Sequence, residues 1–74
     1  MTVTLDLLAL DDLQKRHGFS NKKLANESGC SAMTIQNARR GKRVHFVSAL
    51  RIARALGVSL EEITEKEQKG GEEA

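Results

Sequence analysis

Proline, tryptophan and tyrosine are absent from this chain of 74 residues, and phenylalanine occurs only twice. A core with so few rings must be aliphatic, and heavy use of alanine and leucine favours helices over a sheet. Cys30 stands alone, so no internal disulfide can form and a reducing cytoplasm is the expected setting. No apolar run is long enough to cross a bilayer, and the N-terminus lacks the basic start and apolar stretch of a signal peptide. A soluble cytoplasmic protein is expected. Catalysis lacks its parts: no nucleophile stands beside a base, no carboxylates pair in a plausible cleft, and the chain is too short to enclose a pocket. His17 and His45 lie too far apart, with one cysteine between them, to hold a metal, and no cofactor is expected. Gly70-Gly71 is no phosphate loop, since no strand precedes it and no helix follows.

What is present is charge, unevenly placed. The formal net charge is +2, yet residues 14–54 carry ten basic groups against the single acid Glu27. The flanks are acidic: Asp6, Asp11 and Asp12 on one side, six glutamates against Lys66 and Lys69 on the other. A cationic middle of this kind is an electrostatic footprint for a polyanion.

Apolar spacing and capping residues divide the chain into five helices joined by short loops. The first runs from Asp6 to His17, with Thr4 as its cap, Leu10 and Leu13 facing the core and Gly18 as its stop. The opening Thr2-Val3-Thr4-Leu5 also alternates like a short strand. Ser20 caps a second helix, Asn21 to Ser28, and Ser31 a third, Ala32 to Arg40, which Gly41 ends. The fourth spans Phe46 to Leu56 before Gly57; its inward stripe is Leu50, Ala53 and Leu56, with Phe46 or Val47 one turn earlier. Ser59 and Glu62 form a capping box that opens a fifth helix bearing Leu60 and Ile63. Residues 1–65 are thus expected to be one all-α domain, a compact five-helix bundle. Residues 66–74 form a polar tail with nothing to bury, expected to be disordered.

Within this plan Ala25, Gly29 and Ile35 stand at the spacing of a helix-turn-helix. Ala25 must be small because the next helix crosses close above it. Gly29 supplies the left-handed residue that ends a helix without a Cβ penalty. Ser31 then accepts from the free amides opening the next helix. Leu24, Ile35 and Ala38 hold the two helices at a fixed angle. The outer face of the second becomes a rigid probe of the kind a DNA major groove accepts.

Several segments together resemble the lambdoid-repressor and Cro type of helix-turn-helix domain, a large bacterial and phage group of transcriptional regulators. They are Gly18-Phe19-Ser20, Leu24-Ala25, Gly29-Cys30-Ser31, Thr34-Ile35, Arg40-Gly41-Lys42-Arg43 and Leu50 to Ser59. The likeness covers about Leu10 to Ile63 and implies a lambda-repressor-like fold whose third helix enters the major groove. Carried over by position, Ala32, Met33, Gln36 and Asn37 face the bases. Taking Ile35 as buried, a rotation of 100° per residue puts Met33, Gln36, Asn37 and Arg40 on the far side.

The resemblance, with the charge pattern, makes Asn21, Lys22, Ser31, Arg40, Lys42 and Arg43 the expected DNA-backbone contacts. Three departures stand out. Asn21 replaces the usual Gln that opens helix 2. Gln14 and Arg39 occupy positions where many members pair Arg with Glu, leaving Arg39 to meet Asp11 or a phosphate. The loop after Gly41 is one residue shorter than in many members. Cys30 reads as apolar filler in the turn, His17 as a surface residue, and His45 as either a cap for helix 4 or a backbone contact.

The expected function is sequence-specific binding of double-stranded DNA by a small regulator, most simply a repressor. The expected partner is a pseudo-palindromic operator bound by a homodimer, with Leu60, Ile63, Val3, Leu5 and Leu7 as candidate dimer contacts. The alternatives are an antitoxin that also binds a small protein partner, and an adaptor that keeps the fold without binding DNA.

Overall fold

The computed structural model describes residues 1–65; the expected disordered tail lies outside the described residues. Seven elements follow in order: β1 (Thr2–Val3), α1 (Leu7–His17), α2 (Asn21–Ser28), α3 (Ala32–Arg39), β2 (Val44–His45), α4 (Phe46–Leu56) and α5 (Leu60–Ile63). The fold is the expected five-helix, all-α type, with one small addition. β1 and β2 pair antiparallel, Thr2 opposite His45 and Val3 opposite Val44.

That ribbon explains why the N-terminal segment alternates like a strand. It is held on both sides. Phe46 N–H donates to Met1 O at 3.0 Å, while Asp6 N–H reaches Ile63 O at 2.7 Å and Glu65 N–H reaches Thr4 O at 2.9 Å. The N-terminus therefore ties the loop after α3 to the end of α5. Thr4 is not the cap of α1. Asp6 is, its carboxylate accepting from Leu8 and Ala9 N–H, and the helix starts one residue later than expected, at Leu7.

The core is aliphatic: Leu5, Leu10, Leu24, Ile35, Ile52, Leu56 and Ile63 are its largest fully buried side chains. Leu13 packs against it from the rim. Leu5 and Ile63, expected at a dimer contact, are fully buried within the chain and unavailable to a partner. Leu60 and Val3 also pack partly on this core, whereas Leu7 keeps an exposed face. The stripe on α4 needs a second correction. Ala49, Ile52, Ala53 and Leu56 face inward, and Leu50 is exposed. These four stand at i, i+3, i+4 and i+7, the spacing of one helix face, which leaves Leu50 beside the stripe.

The starts of α2, α4 and α5 are closed by residues that the sequence offers. Ser20 and His45 accept from backbone N–H groups at their helix starts, so His45 takes the capping role. Glu62 accepts from the N–H and hydroxyl of Ser59 in the capping box. His17 lies at the surface and also braces the fold, with Nε2 at 2.9 Å from Leu56 O and its ring stacked on Phe19. Among the described residues, no helix is long and apolar enough to cross a membrane.

Candidate nucleic-acid interface

Two helices and the turn between them build the site. Gly29 sits at φ +75°, with its N–H on Ala25 O at 3.0 Å. Buried Ser28 braces the same turn, its Oγ donating to Ala25 O at 3.3 Å and accepting from Cys30 N–H at 3.4 Å. Cys30 is half-buried, packs against the core and reaches Ser48 O through Sγ; it is the filler the turn requires. Ser31 then opens α3, its Oγ accepting Thr34 N–H at 3.1 Å and lying 3.0 Å from Thr34 Oγ1. The Ser31 oxygen thus serves the cap, and its proton is open to an outside acceptor when Thr34 Oγ1 is the donor of that hydroxyl pair.

Ile35 and Ala38 anchor α3 in the core, almost fully buried, as does Ala25 beneath it. Of the residues expected to face bases, Ala32, Met33 and Gln36 are exposed and Asn37 is half-buried. Met33 is 63% exposed, too open for a core methionine. Ala32 and Gln36 line a shallow depression together with Asn21 and Lys22 of α2. Two expected base-facing residues and two expected backbone contacts thus share one surface. Met33 and Asn37 lie outside that depression.

Arg40, Lys42 and Arg43 form a second group beyond the far end of α3. Arg40 is not the last helical residue but the cap, its N–H on Gln36 O at 3.0 Å and Asn37 O at 3.2 Å. Gly41 at φ +79° reverses the chain, and Lys42 N–H returns to Asn37 O at 3.0 Å. All three cationic side chains are exposed. Arg43 Nη1 approaches Thr2 Oγ1 at 3.4 Å, a neutral contact that leaves its charge uncompensated.

Ion pairing sorts the basic residues further. Lys15 pairs with Asp11, Arg16 with Asp12, and Lys23 with Glu27, all at helical i,i+4 spacing. Arg39 turns to Asp11 at 3.2 Å, so of its two expected partners it takes the carboxylate. The hydrogen bonds from Lys15 and then Arg39 hold the Asp11 carboxyl below its ordinary value. Lys22, Arg40, Lys42 and Arg43 meet no carboxylate among the described residues. The cations left free beside α3 are those expected to meet phosphates.

A family model for the Cro/C1-type helix-turn-helix DNA-binding domain matches residues 9–69. The chain belongs to this family. Searches of curated proteins and of solved structures found no match. In this Cro/C1-type domain the contact that sequence reasoning did not foresee is that of Gln14 with Asn21. Gln14 is only 5% exposed, and its Nε2 donates to Phe19 O at 3.2 Å and to Asn21 Oδ1 at 3.0 Å. The available signal was a neutral amide where the resemblance implied a cation. Its loss of charge was visible, and its new partner was not. No group of three or more metal-ligating side chains occurs among the described residues.

Proposed function

We propose that this Cro/C1-type domain is a small transcriptional regulator, acting as a repressor by placing α3 in the major groove of a specific duplex. The observation that carries the reading is the exposed face of α3, flanked at one end by Lys22 and at the other by Arg40, Lys42 and Arg43. Phosphate contacts of that kind fix register on the duplex, and base-edge contacts supply sequence preference. Ala32 and Met33 offer apolar surface to thymine methyl groups, while Gln36 or Asn37 hydrogen-bonds a base edge, adenine being the favoured partner. Asn21, Lys22 and the Ser31 hydroxyl serve the backbone at the start of the two helices.

Occupancy of a promoter blocks a polymerase without further chemistry, which makes repression the simplest regulatory outcome. One such surface reads few base pairs, so the operator is a pseudo-palindrome bound by two copies, with half-sites about 34–36 Å apart. The test is selection from a randomised duplex pool with the wild-type chain and with Met33→Ala and Ala32→Arg. A preferred sequence that changes in the variants is expected. A preference identical in all three would reject the role of α3. Reversing Arg40, Lys42 and Arg43 to Glu should abolish DNA retention; a wild-type chain that retains no DNA, and a protein partner that stays bound through the reversal, would favour the adaptor reading.

A further inference from the structure

Gln14 is an anomaly in energetic terms. Its Oε1 is buried with no hydrogen-bond partner among the described residues, and an orphaned buried acceptor costs stability. The orientation of its amide is not arbitrary. Phe19 O can only be met by a donor, so the nitrogen must face it and the oxygen is left alone. The same nitrogen reaches Asn21 Oδ1 at 3.0 Å. What this amide supplies to the fold is its nitrogen, which meets two acceptors.

We infer that Gln14 is a positioning residue for DNA-backbone recognition, which turns the side-chain amide of exposed Asn21 so that its NH2 group faces the phosphate. The chemistry follows from the two ends of an amide. With Oδ1 held by Gln14, Asn21 presents two N–H donors outward; if the amide turned over, it would present a bare acceptor to a polyanion. Next to it, the N–H groups of Asn21 and Lys22 have no intrahelical partner at the start of α2, since Ser20 Oγ accepts from Lys23. Asn21 and Lys22 line the depression that Ala32 and Gln36 complete. The oriented amide thus joins the backbone donors and the Lys22 ammonium around one anion-sized surface. It also offsets the shortness of Asn21 by removing the side chain's freedom before DNA arrives.

This inference rests on the proposed reading of α2 and α3 as DNA-facing, and its test separates the two. The probe is a mixed-sequence DNA duplex, because a phosphate contact is independent of sequence. Asn21→Ala should weaken binding about tenfold, the loss of a hydrogen bond to a charged group. Gln14→Met should weaken it about fivefold, the cost of ordering one freed side chain. Combined, they should be no worse than Asn21→Ala alone. Additive losses, or a Gln14→Met chain that binds like the wild type, would overturn the inference. A second measurement needs no folded variant: hydrogen exchange of the side-chain amides in the wild-type chain. The Gln14 NH2 should be protected without DNA, and the Asn21 NH2 only once the duplex is bound. Asn21 protons that exchange equally fast in both states would also overturn it. If Asn21→Ala is silent while Lys22→Ala and Arg40→Ala weaken binding, the positioning role fails and the DNA reading stands. If none of them matters, the DNA reading itself fails.

Discussion

The pattern of ion pairs makes a quantitative claim about salt. Each phosphate neutralised by a protein cation releases condensed counterions, so the logarithm of affinity falls with the logarithm of salt concentration by about 0.9 per contact. Lys22, Arg40, Lys42 and Arg43 stand free of carboxylates beside α3, whereas Lys23, one residue away from Lys22, lies 3.4 Å from Glu27. Four contacts per copy give a slope of about −3.6, and two copies bound together about −7. A fourfold rise in salt should then weaken the two-copy complex by roughly 10⁴. The perturbation is a neighbouring pair of variants, Lys22→Ala and Lys23→Ala, titrated against the same duplex by fluorescence anisotropy over a salt series. Lys22→Ala should make the slope shallower by about 0.9 per copy, and Lys23→Ala should leave it nearly unchanged. Arg51→Ala is a further control, since Arg51 and Arg54 line a separate depression with Glu27 and Gly29 at the other end of α2. Equal changes from Lys22→Ala and Lys23→Ala would refute the assignment of contacts by ion pairing. A flat salt response would refute the phosphate contacts altogether.

Three further outcomes follow from the fold. A Cβ on Gly29 would meet nothing within 4 Å, so the cost of substitution is backbone strain at φ +75° and not a clash; Gly29→Val should lower thermal stability by about 2 kcal/mol and Gly29→Asn by much less, and circular dichroism melts that rank the two equally would contradict this. Ile52→Ala, at a fully buried site, should cost about 2–5 kcal/mol in denaturant unfolding, and a loss under about 1 kcal/mol would mean that the α4 stripe is misassigned. Because Asp11 has its folded-state carboxyl held low by Lys15 and Arg39, its contribution is present above the unfolded carboxylate value and is lost as pH falls through the folded one; Asp11→Asn should flatten that part of the acid limb of the stability curve, and an unchanged limb would show that the pairing does not contribute.

Helix identity was legible because each helix carries its own punctuation: Ser20, Ser31, and Ser59 with Glu62 as starts, and Gly18, Gly29 and Gly57 as left-handed stops. These are local signals, read over four or five residues. What was not legible is non-local. The pairing of Thr2–Val3 with Val44–His45 joins segments some forty residues apart, and no local pattern in either names the other. Leu5, beyond the ribbon, bridges Thr64 at the end of α5, and Asp6 N–H meets Ile63 O, contacts equally remote in sequence. The candidate site divides in the same way. Exposure of Met33 and Gln36 follows from the position of Ile35 on a single helix, so it was predictable. The contact of Gln14 with Asn21 depends on how the α1–α2 corner closes, with Phe19 N–H on Gln14 O at 2.8 Å, and only the folded chain brings the two amides together.

The anchoring of α3 explains why so much of this small chain is devoted to helix ends. Only Ile35 and Ala38 of its eight residues are buried, which is too little apolar area to fix the orientation of a short helix by packing alone. The constraint comes from its termini. At the start, Gly29 and Ser31 set the turn and cap. At the end, the N–H groups of Arg40, Gly41 and Lys42 return to the carbonyls of Gln36, Asn37 and Ala38. Arg39 then ties the last turn sideways to Asp11 on α1. That ion pair is partly exposed and contributes little stability by itself. It is nevertheless a lateral tie to α1, and it fixes the helix axis from the Ile35 side of α3. On this division of labour, Arg39→Met should leave the melting temperature nearly unchanged and yet blur the base preference of the selected duplexes, because a helix free to pivot reads neighbouring edges less well. A variant that keeps a sharp preference while losing stability would show that Arg39 serves the core and not the aim of α3.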